Sequence, residues 1–202
     1  MPPFTVLHVC MGNICRSPMA ERLLALAITK RAGGKGNELV LSHSAGTGGW
    51  HEGEEMNPPA ARQVRSRGGD TDGFAARKLR ADHIEAADLI LTATVDQQDY
   101  VTALRPDAAS RTFVLGEFGR LLPEVDAAAL PASDGTAQQV YDRGVALVAA
   151  AHRLRVGAPP RADDDLDDPW GRGDQVFSRV ADEIEHSVDP LVALLLPSCW
   201  AS

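Results

Sequence analysis

The chain has 202 residues, of which 44% are hydrophobic and 24% are charged, and its formal net charge is −8. This length and balance are typical of a single domain with a packed core, and they exclude collagen, coiled-coil rods and wholesale disorder. The acidic charge argues against a nucleic-acid partner, and the apolar runs are too short for a membrane span. Three cysteines and no readable signal peptide indicate reduced thiols in the cytoplasm, with leaderless export left open.

The first half of the chain alternates strand and helix patterns. Short apolar runs predict strands at residues 5–10, 39–44, 87–92 and 111–115. Helical stretches are predicted at residues 19–31, 59–67 and 95–104, with a helical turn at residues 80–86. Pro18 suits the first turn of the first helix, and Ser17 suits its N-cap. The alternation implies an α/β fold with a parallel sheet and right-handed crossovers.

The pattern changes in the C-terminal half. It contains a helical stretch, a Pro- and Asp-rich loop and a second helical stretch, at residues 138–155, 157–168 and 174–186. Pro190 is expected to end or kink the last helix. We interpret residues 117–166 as an inserted helical elaboration of one domain spanning residues 1–202. We expect its helix to form part of the rim of the functional pocket.

A cysteine and an arginine bracket the loop that follows the first strand. Cys10 and Arg16 are separated by five residues, and Ser17 follows. This loop lies at the carboxyl end of a strand, where parallel sheets bind their ligands, and it precedes a helix N-terminus. Its backbone N–H groups and the helix dipole predict a site for a phosphate-like anion, and the same field stabilises a thiolate at Cys10. Arg16 would bind phosphoryl oxygens through bidentate hydrogen bonds, and Ser17 would donate a hydrogen bond to the sulfur.

The residues inside this loop suit a tight backbone turn. Gly12 allows a positive φ at no steric cost, and Asn13 tolerates the left-handed conformation better than most residues. The pattern G-x-x-x-x-G-K-[ST] is absent, which excludes a nucleotide-binding Walker loop. None of the six histidines shows metal-ligand spacing, so we expect no metal and no cofactor.

Residues 6–24, V-L-H-V-C-M-G-N-I-C-R-S-P-M-A-E-R-L-L, closely resemble the opening of the low-molecular-weight protein tyrosine phosphatases. The signature of that family is C-x-G-N-I-C-R-S-P. The resemblance implies a four-stranded parallel sheet flanked by helices, in agreement with the strand count. It also implies roles for residues of the loop: nucleophile for Cys10, phosphate clamp for Arg16, thiolate partner for Ser17, support of the loop shape for Asn13 and Ser44, and contact with the bound phosphate for Met11, Gly12, Ile14 and Cys15.

The reaction of such a family needs a general acid, because an alkoxide or phenoxide departs poorly unless it is protonated. Asp168 is the candidate, since it stands in D-P-W and the family's acid occupies a D-P-[YW] context. Asp167 is the nearest rival. Trp50 and Trp170 lie in segments that correspond to the two loops flanking the cysteine loop in this family, and they could form walls for an aryl phosphate.

The resemblance also bears on specificity and redox chemistry. Ile14 favours phosphotyrosine, because the arginine-phosphatase relatives carry threonine at this position. The expected partner is therefore a phosphotyrosine-containing protein, bound by a monomer or weak dimer. Cys15 either forms a reversible disulfide with Cys10 or is a small buried hydrophobe, and Cys199 receives no role.

Three alternatives to a tyrosine phosphatase stay open on the sequence. A protein-arginine phosphatase shares the loop. An arsenate reductase would need a resolving cysteine pair near residues 80–95, and that segment has no cysteine. A phosphoryl-binding module would need the anion loop but not the acid Asp168. Three positions depart from the family pattern: Phe74 replaces a frequent histidine, and Trp170 with Gly171 replaces a frequent tyrosine pair.

Overall fold

In the computed structural model, which describes residues 1–197, four strands form one sheet. The strands are β1 (Phe4–Cys10), β2 (Val40–Gly46), β3 (Leu89–Thr92) and β4 (Thr112–Val114). Their order is β2-β1-β3-β4, and every neighbouring pair is parallel. The predicted α/β fold with a four-stranded parallel sheet is confirmed.

Helices connect and cover the strands. The α-helices are α1 (Arg16–Ala32), α2 (Gly36–Leu39), α3 (Pro58–Ser66), α4 (Ala81–Glu85), α5 (Val95–Leu104), α6 (Leu115–Leu121), α7 (Ala137–Arg155) and α8 (Asp174–Leu195). Short 3-10 helices lie at Gly33–Lys35, Pro106–Arg111, Leu122–Glu124, Ala127–Ala129 and Ala162–Asp164. Among residues 1–197 no helix combines the length and the apolar character needed to cross a membrane.

The two faces of the sheet carry separate buried clusters. Phe4, Val6 and Leu91 belong to a large core shared with α1 and α8. Leu7 and Val9 point the other way and belong to a smaller cluster beneath α4 and α5. Alternation along β1 thus buries both faces, as expected for a parallel strand covered by helices on each side.

Two details of the helices differ from the sequence predictions. The N-cap of α1 is Cys15, so the prediction that Ser17 caps this helix is wrong. Ser17 already lies in the first helical turn, where its hydroxyl contacts the side chains of Cys10 and Asn13 instead of the helix amides. Helix α8 does not end at Pro190 and continues to Leu195, because its apolar face stays buried on both sides of the proline. Burial of that face outweighs the roughly 3 kcal/mol that an internal proline costs a helix.

Helix α7 packs into the core. Val140, Leu147 and Ala151 are fully buried on its inner face. The Tyr141 ring meets Phe4 of β1 edge to face, with ring centroids 6.4 Å apart. The helix therefore packs on the large core near Phe4, the first residue of β1.

Candidate active site

The first strand ends at Cys10, and α1 begins at Arg16, so residues 11–15 form a loop at the carboxyl edge of the sheet. The Cys10 thiol is buried at the base of this loop. Its Sγ lies 3.0 Å from the Ser17 Oγ and accepts a hydrogen bond from the Asn13 backbone N–H at 3.3 Å. These two contacts place polar donors on the sulfur, where they stabilise negative charge.

Asn13 holds the loop in a strained shape. Its φ of 55° is positive, which is unusual for a residue with a side chain. The side chain anchors this backbone through three hydrogen bonds: Nδ2 donates to Ser17 Oγ and Ser44 Oγ, both at 2.8 Å, and Oδ1 accepts from the Arg77 backbone N–H at 2.9 Å. Because the Ser17 hydroxyl accepts from Asn13, its own proton is free to point at the Cys10 sulfur.

The serine on β2 belongs to the same hydrogen-bond chain. Ser44 Oγ accepts from Asn13 and donates to Glu21 Oε2 at 2.6 Å. Burial raises the pKa of Glu21, while the Ser44 hydroxyl and nearby arginines act in the opposite direction. Glu21 is a supporting residue that sequence reasoning missed, although it lies three positions after Pro18 within the matching stretch.

Two glycines allow close contacts around the loop. Of the two loop positions that suit a positive φ, Asn13 has one and Gly12 does not. The space at position 12 favours glycine, because a Cβ there would lie 3.1 Å from the Cδ2 of His51. Gly46, at the end of β2, is packed still more tightly, because a Cβ there would lie 2.7 Å from the carbonyl oxygen of Met11. The backbone of β2 thus supports the loop directly.

Arg16 and Asp168 meet beside the thiol. The Arg16 guanidinium is buried, and its Nη1 donates to the Leu166 carbonyl at 3.2 Å. Its Nη2 lies 3.3 Å from Asp168 Oδ2, and this carboxylate is half exposed. Asp167 instead pairs with Arg179 at 2.6 Å. The structure therefore brings Asp168, and not Asp167, to the cysteine loop.

A cavity of about 220 Å³ opens over the loop. Its lining residues are Cys10, Met11, Gly12, Ile14, Cys15, Arg16, Trp50, His51, Asp168 and Trp170. The two tryptophan side chains are largely exposed and stand at its opening. Three further predicted residues, Asn13, Ser17 and Ser44, are buried in the hydrogen-bond network around the loop.

Two features of the cavity differ from the sequence expectations. No lining residue comes from residues 117–166, so the prediction that the inserted helix forms part of the rim is wrong. The reason is that α7 packs against β1 and α8 in the core. His51 was assigned no role, yet its ring lies against Gly12, and its Nδ1 is 2.7 Å from Glu54 Oε2. Its place beside Trp50 in the glycine-rich loop was the signal available in the sequence.

The second thiol of the loop differs from the first. Cys15 is buried, and burial, with smaller contributions from Cys10 and Asp168, raises its pKa to about 12. It is therefore a neutral thiol at physiological pH. Both Cys10 and Cys15 are free cysteines, whereas Cys199 lies outside the described residues. Across residues 1–197, no group of three or more His, Cys, Asp or Glu side chains has the arrangement of a metal site.

This combination of a parallel α/β sheet with a thiol, an arginine and a carboxylate around one anion-sized cavity is the arrangement expected of a phosphatase. Comparisons with known proteins agree with that class. The sequence profile of the family described as low molecular weight phosphotyrosine protein phosphatase matches residues 5–130. The chain therefore belongs to this family, as its cysteine-loop motif had indicated.

Individual relatives support the assignment. Low molecular weight protein-tyrosine phosphatase A of Mycobacterium tuberculosis is 44% identical over 89 residues, which cover 44% of this chain and 52% of the relative. The chain thus spans about half the length of that relative. A low molecular weight protein-tyrosine-phosphatase of Acinetobacter johnsonii is 38% identical over 121 residues, 59% of this chain and 78% of the relative.

The fold is also found in solved structures of the family. The YwlE arginine phosphatase from Geobacillus stearothermophilus is 26% identical and superposes with a TM-score of 0.63. The superposition covers 94% of this chain and 91% of the other. The superposed stretch extends beyond residue 130, where the family profile ends.

Proposed function

We propose that this protein is a cysteine-dependent, metal-independent phosphatase that hydrolyses phosphotyrosine in proteins and also small aryl phosphates. The observation that carries the proposal is the meeting of three groups at one cavity. The Cys10 thiol lies at its base, and the Arg16 guanidinium lies 3.3 Å from the Asp168 carboxylate beside it. We further propose that residues 1–202 form a single catalytic domain.

The first chemical step transfers the phosphoryl group to the protein. The Cys10 thiolate attacks phosphorus in line, and a sulfur–phosphorus bond forms as the bond to the leaving oxygen breaks. The N–H groups of residues 11–15 and Arg16 bind the equatorial oxygens, on which negative charge resides. Asp168, in its protonated form, gives its proton to the leaving phenolic oxygen.

The second step restores the thiolate. Asp168, now a carboxylate, takes a proton from a water molecule that attacks the phosphocysteine. The phosphorus–sulfur bond breaks, inorganic phosphate leaves, and the sulfur departs as the thiolate. The Ser17 hydroxyl, 3.0 Å from the Cys10 sulfur, stabilises the charge that returns to it.

The cavity supports phosphotyrosine as the substrate group. Trp50 and Trp170 stand at its opening and offer flat apolar surfaces to a phenyl ring. Ile14 adds an apolar side chain to the lining. A phosphoarginine substrate is the second candidate, because the chain is similar to an arginine phosphatase. Tyrosine- and arginine-phosphorylated versions of one peptide distinguish the two by their kcat/KM values.

The first test is hydrolysis of p-nitrophenyl phosphate in the presence of EDTA. We expect turnover by the wild type and a loss of at least about a thousandfold for Cys10→Ser, since removal of a nucleophile is among the largest single-residue losses known. Cys199→Ser is the matched control, because it removes a thiol outside the loop, and it should keep its turnover. Absence of turnover in folded, reduced wild-type protein would refute the proposal and favour a phosphoryl-binding module.

A further inference from the structure

The segment that carries Asp168 is held by an ion pair that does not line the cavity. Arg120, on α6, binds Asp164 through two parallel hydrogen bonds, Nε to Oδ1 at 3.0 Å and Nη2 to Oδ2 at 2.8 Å. The Asp164 side chain is only 5% exposed and also accepts the Arg161 backbone N–H at 2.7 Å. This is the bidentate pairing of an arginine with a carboxylate, which restricts both groups in distance and in angle.

The backbone of Asp164 is pressed against the same helix. A Cβ on Gly116 of α6 would lie 2.3 Å from the Asp164 carbonyl oxygen and 2.9 Å from its Cα. The absence of a side chain at Gly116 thus allows the segment to approach the helix backbone. Side chain and main chain of Asp164 are therefore both seated on α6.

The next two residues extend this attachment toward the active site. Asp165 Oδ1 accepts the backbone N–H of Val95 at the start of α5, at 2.9 Å. The Leu166 N–H donates to the carbonyl of Ala93 at 2.8 Å, next to the end of β3. The Leu166 carbonyl accepts from Arg16 Nη1 at 3.2 Å. Asp168 follows two residues later.

We propose that Arg120 and Asp164 are positioning residues for the general acid. Their ion pair, with the close approach at Gly116, seats residues 164–166 on α6 and so fixes where the Asp168 carboxyl stands relative to the Cys10 sulfur. The proposal rests on the phosphatase function proposed above. Neither residue lines the cavity, so both act through Asp168 rather than on the substrate.

A displaced acid affects some substrates more than others. Phenolate is a poor leaving group and needs the proton from Asp168, whereas p-nitrophenolate departs well without it. A shift of about 1 Å in a reacting group reduces rates by up to about a hundredfold. Loosening the ion pair should therefore reduce activity on phenyl phosphate more than activity on p-nitrophenyl phosphate.

The test compares Arg120→Gln with wild type on these two esters. We expect kcat/KM for phenyl phosphate to fall at least fivefold more than kcat/KM for p-nitrophenyl phosphate. The matched control is Arg62→Gln, which removes an exposed ion pair of similar length with Asp174 of α8, 2.7 Å. The control should show equal, small changes on both esters. Arg120→Lys keeps the charge but cannot form the bidentate pair. Its loss of kcat/KM on phenyl phosphate relative to p-nitrophenyl phosphate should lie between those of wild type and Arg120→Gln.

A second measurement asks whether Arg120 acts through the acid. In an Asp168→Asn background, which has no proton to donate, Arg120→Gln should lower kcat/KM for phenyl phosphate by less than twofold. Equal losses on both esters, or the same loss with and without Asp168, would overturn the positioning role. Failure of both Arg120 variants to fold would show a purely structural pair and would overturn it as well.

The two proposals fail in distinguishable ways. Inactive wild-type protein, or turnover that survives Cys10→Ser, would refute the phosphatase function and the positioning role with it. Cys10-dependent turnover combined with an unchanged ester ratio in Arg120→Gln would refute only the positioning role.

Discussion

Replacement of the buried His8 by phenylalanine should reduce the loss of stability at mildly acidic pH. His8 lies on β1, paired in register with Ser44 of β2, and it is 1% exposed. Neither of its ring nitrogens has a hydrogen-bond partner among the described residues. Burial, and to a smaller extent the charge of His43, lower the pKa of His8 to about 3. The imidazole is therefore neutral in the folded protein down to strongly acidic pH.

Proton binding determines the sign of the effect. In the unfolded chain His8 takes up a proton as the pH falls through about 6.5. In the folded protein it stays neutral until the pH reaches about 3. Between these values the unfolded state binds more protons, so the free energy of unfolding falls as the pH falls. Since one pKa unit corresponds to about 1.4 kcal/mol, His8 lowers this free energy by about 2 kcal/mol between pH 7 and pH 5.

The assay is urea denaturation at pH 7 and pH 5. The free energy of unfolding of His8→Phe should fall between these pH values by about 2 kcal/mol less than that of the wild type. His43, whose pKa burial and Arg77 lower to about 4, is present in both proteins, so the comparison isolates His8. His186→Gln, at an exposed position on α8, is the control and should keep the wild-type pH dependence. An equal fall in wild type and His8→Phe would refute the reasoning.

Two further predictions concern the cysteine loop. A methyl group on Gly46 would lie 2.7 Å from the Met11 carbonyl, so Gly46→Ala should displace the loop and lower kcat/KM for p-nitrophenyl phosphate at least about tenfold. Retention of folded structure is checked by circular dichroism, and a folded variant with wild-type kcat/KM would contradict the prediction. The buried Cys15 thiol, with a pKa of about 12, should resist alkylation at pH 7 under conditions that modify Cys10. Mass spectrometry of iodoacetamide-treated Cys199→Ser protein measures this, and equal labelling of both loop cysteines would disprove it.

The strand, loop and helix around the thiol could be predicted because their signals are local. An apolar run predicts β1, the five residues between Cys10 and Arg16 set the size of the loop, and Pro18 marks the first turn of α1. Gly12 and Asn13 both suit a positive φ, and it occurs at Asn13. Composition cannot distinguish these positions, because the conformation depends on which side chain finds partners that stabilise it.

The acid could be located from D-P-W, but its choice over a neighbour is decided by packing. Asp167 and Asp168 are adjacent in the sequence, yet their carboxylates have different ion-pair partners. One carboxylate reaches Arg179 on α8, and the other reaches Arg16 on α1. The extent of α8 was similarly decided by burial, since its apolar face keeps the helix intact through Pro190.

The groups that hold the loop and the acid in place were decided by tertiary structure. Ser44 and Gly46 support the loop because the parallel register of β2 sets them beside His8 and Cys10. Arg120 reaches Asp164 because α6 packs beside the acid segment, across 44 positions of sequence. Such contacts join residues that no local periodicity relates, and packing alone selects them. The sequence by itself determined which chemistry the loop can support, whereas the packing of β2 and α6 decided where the supporting groups stand.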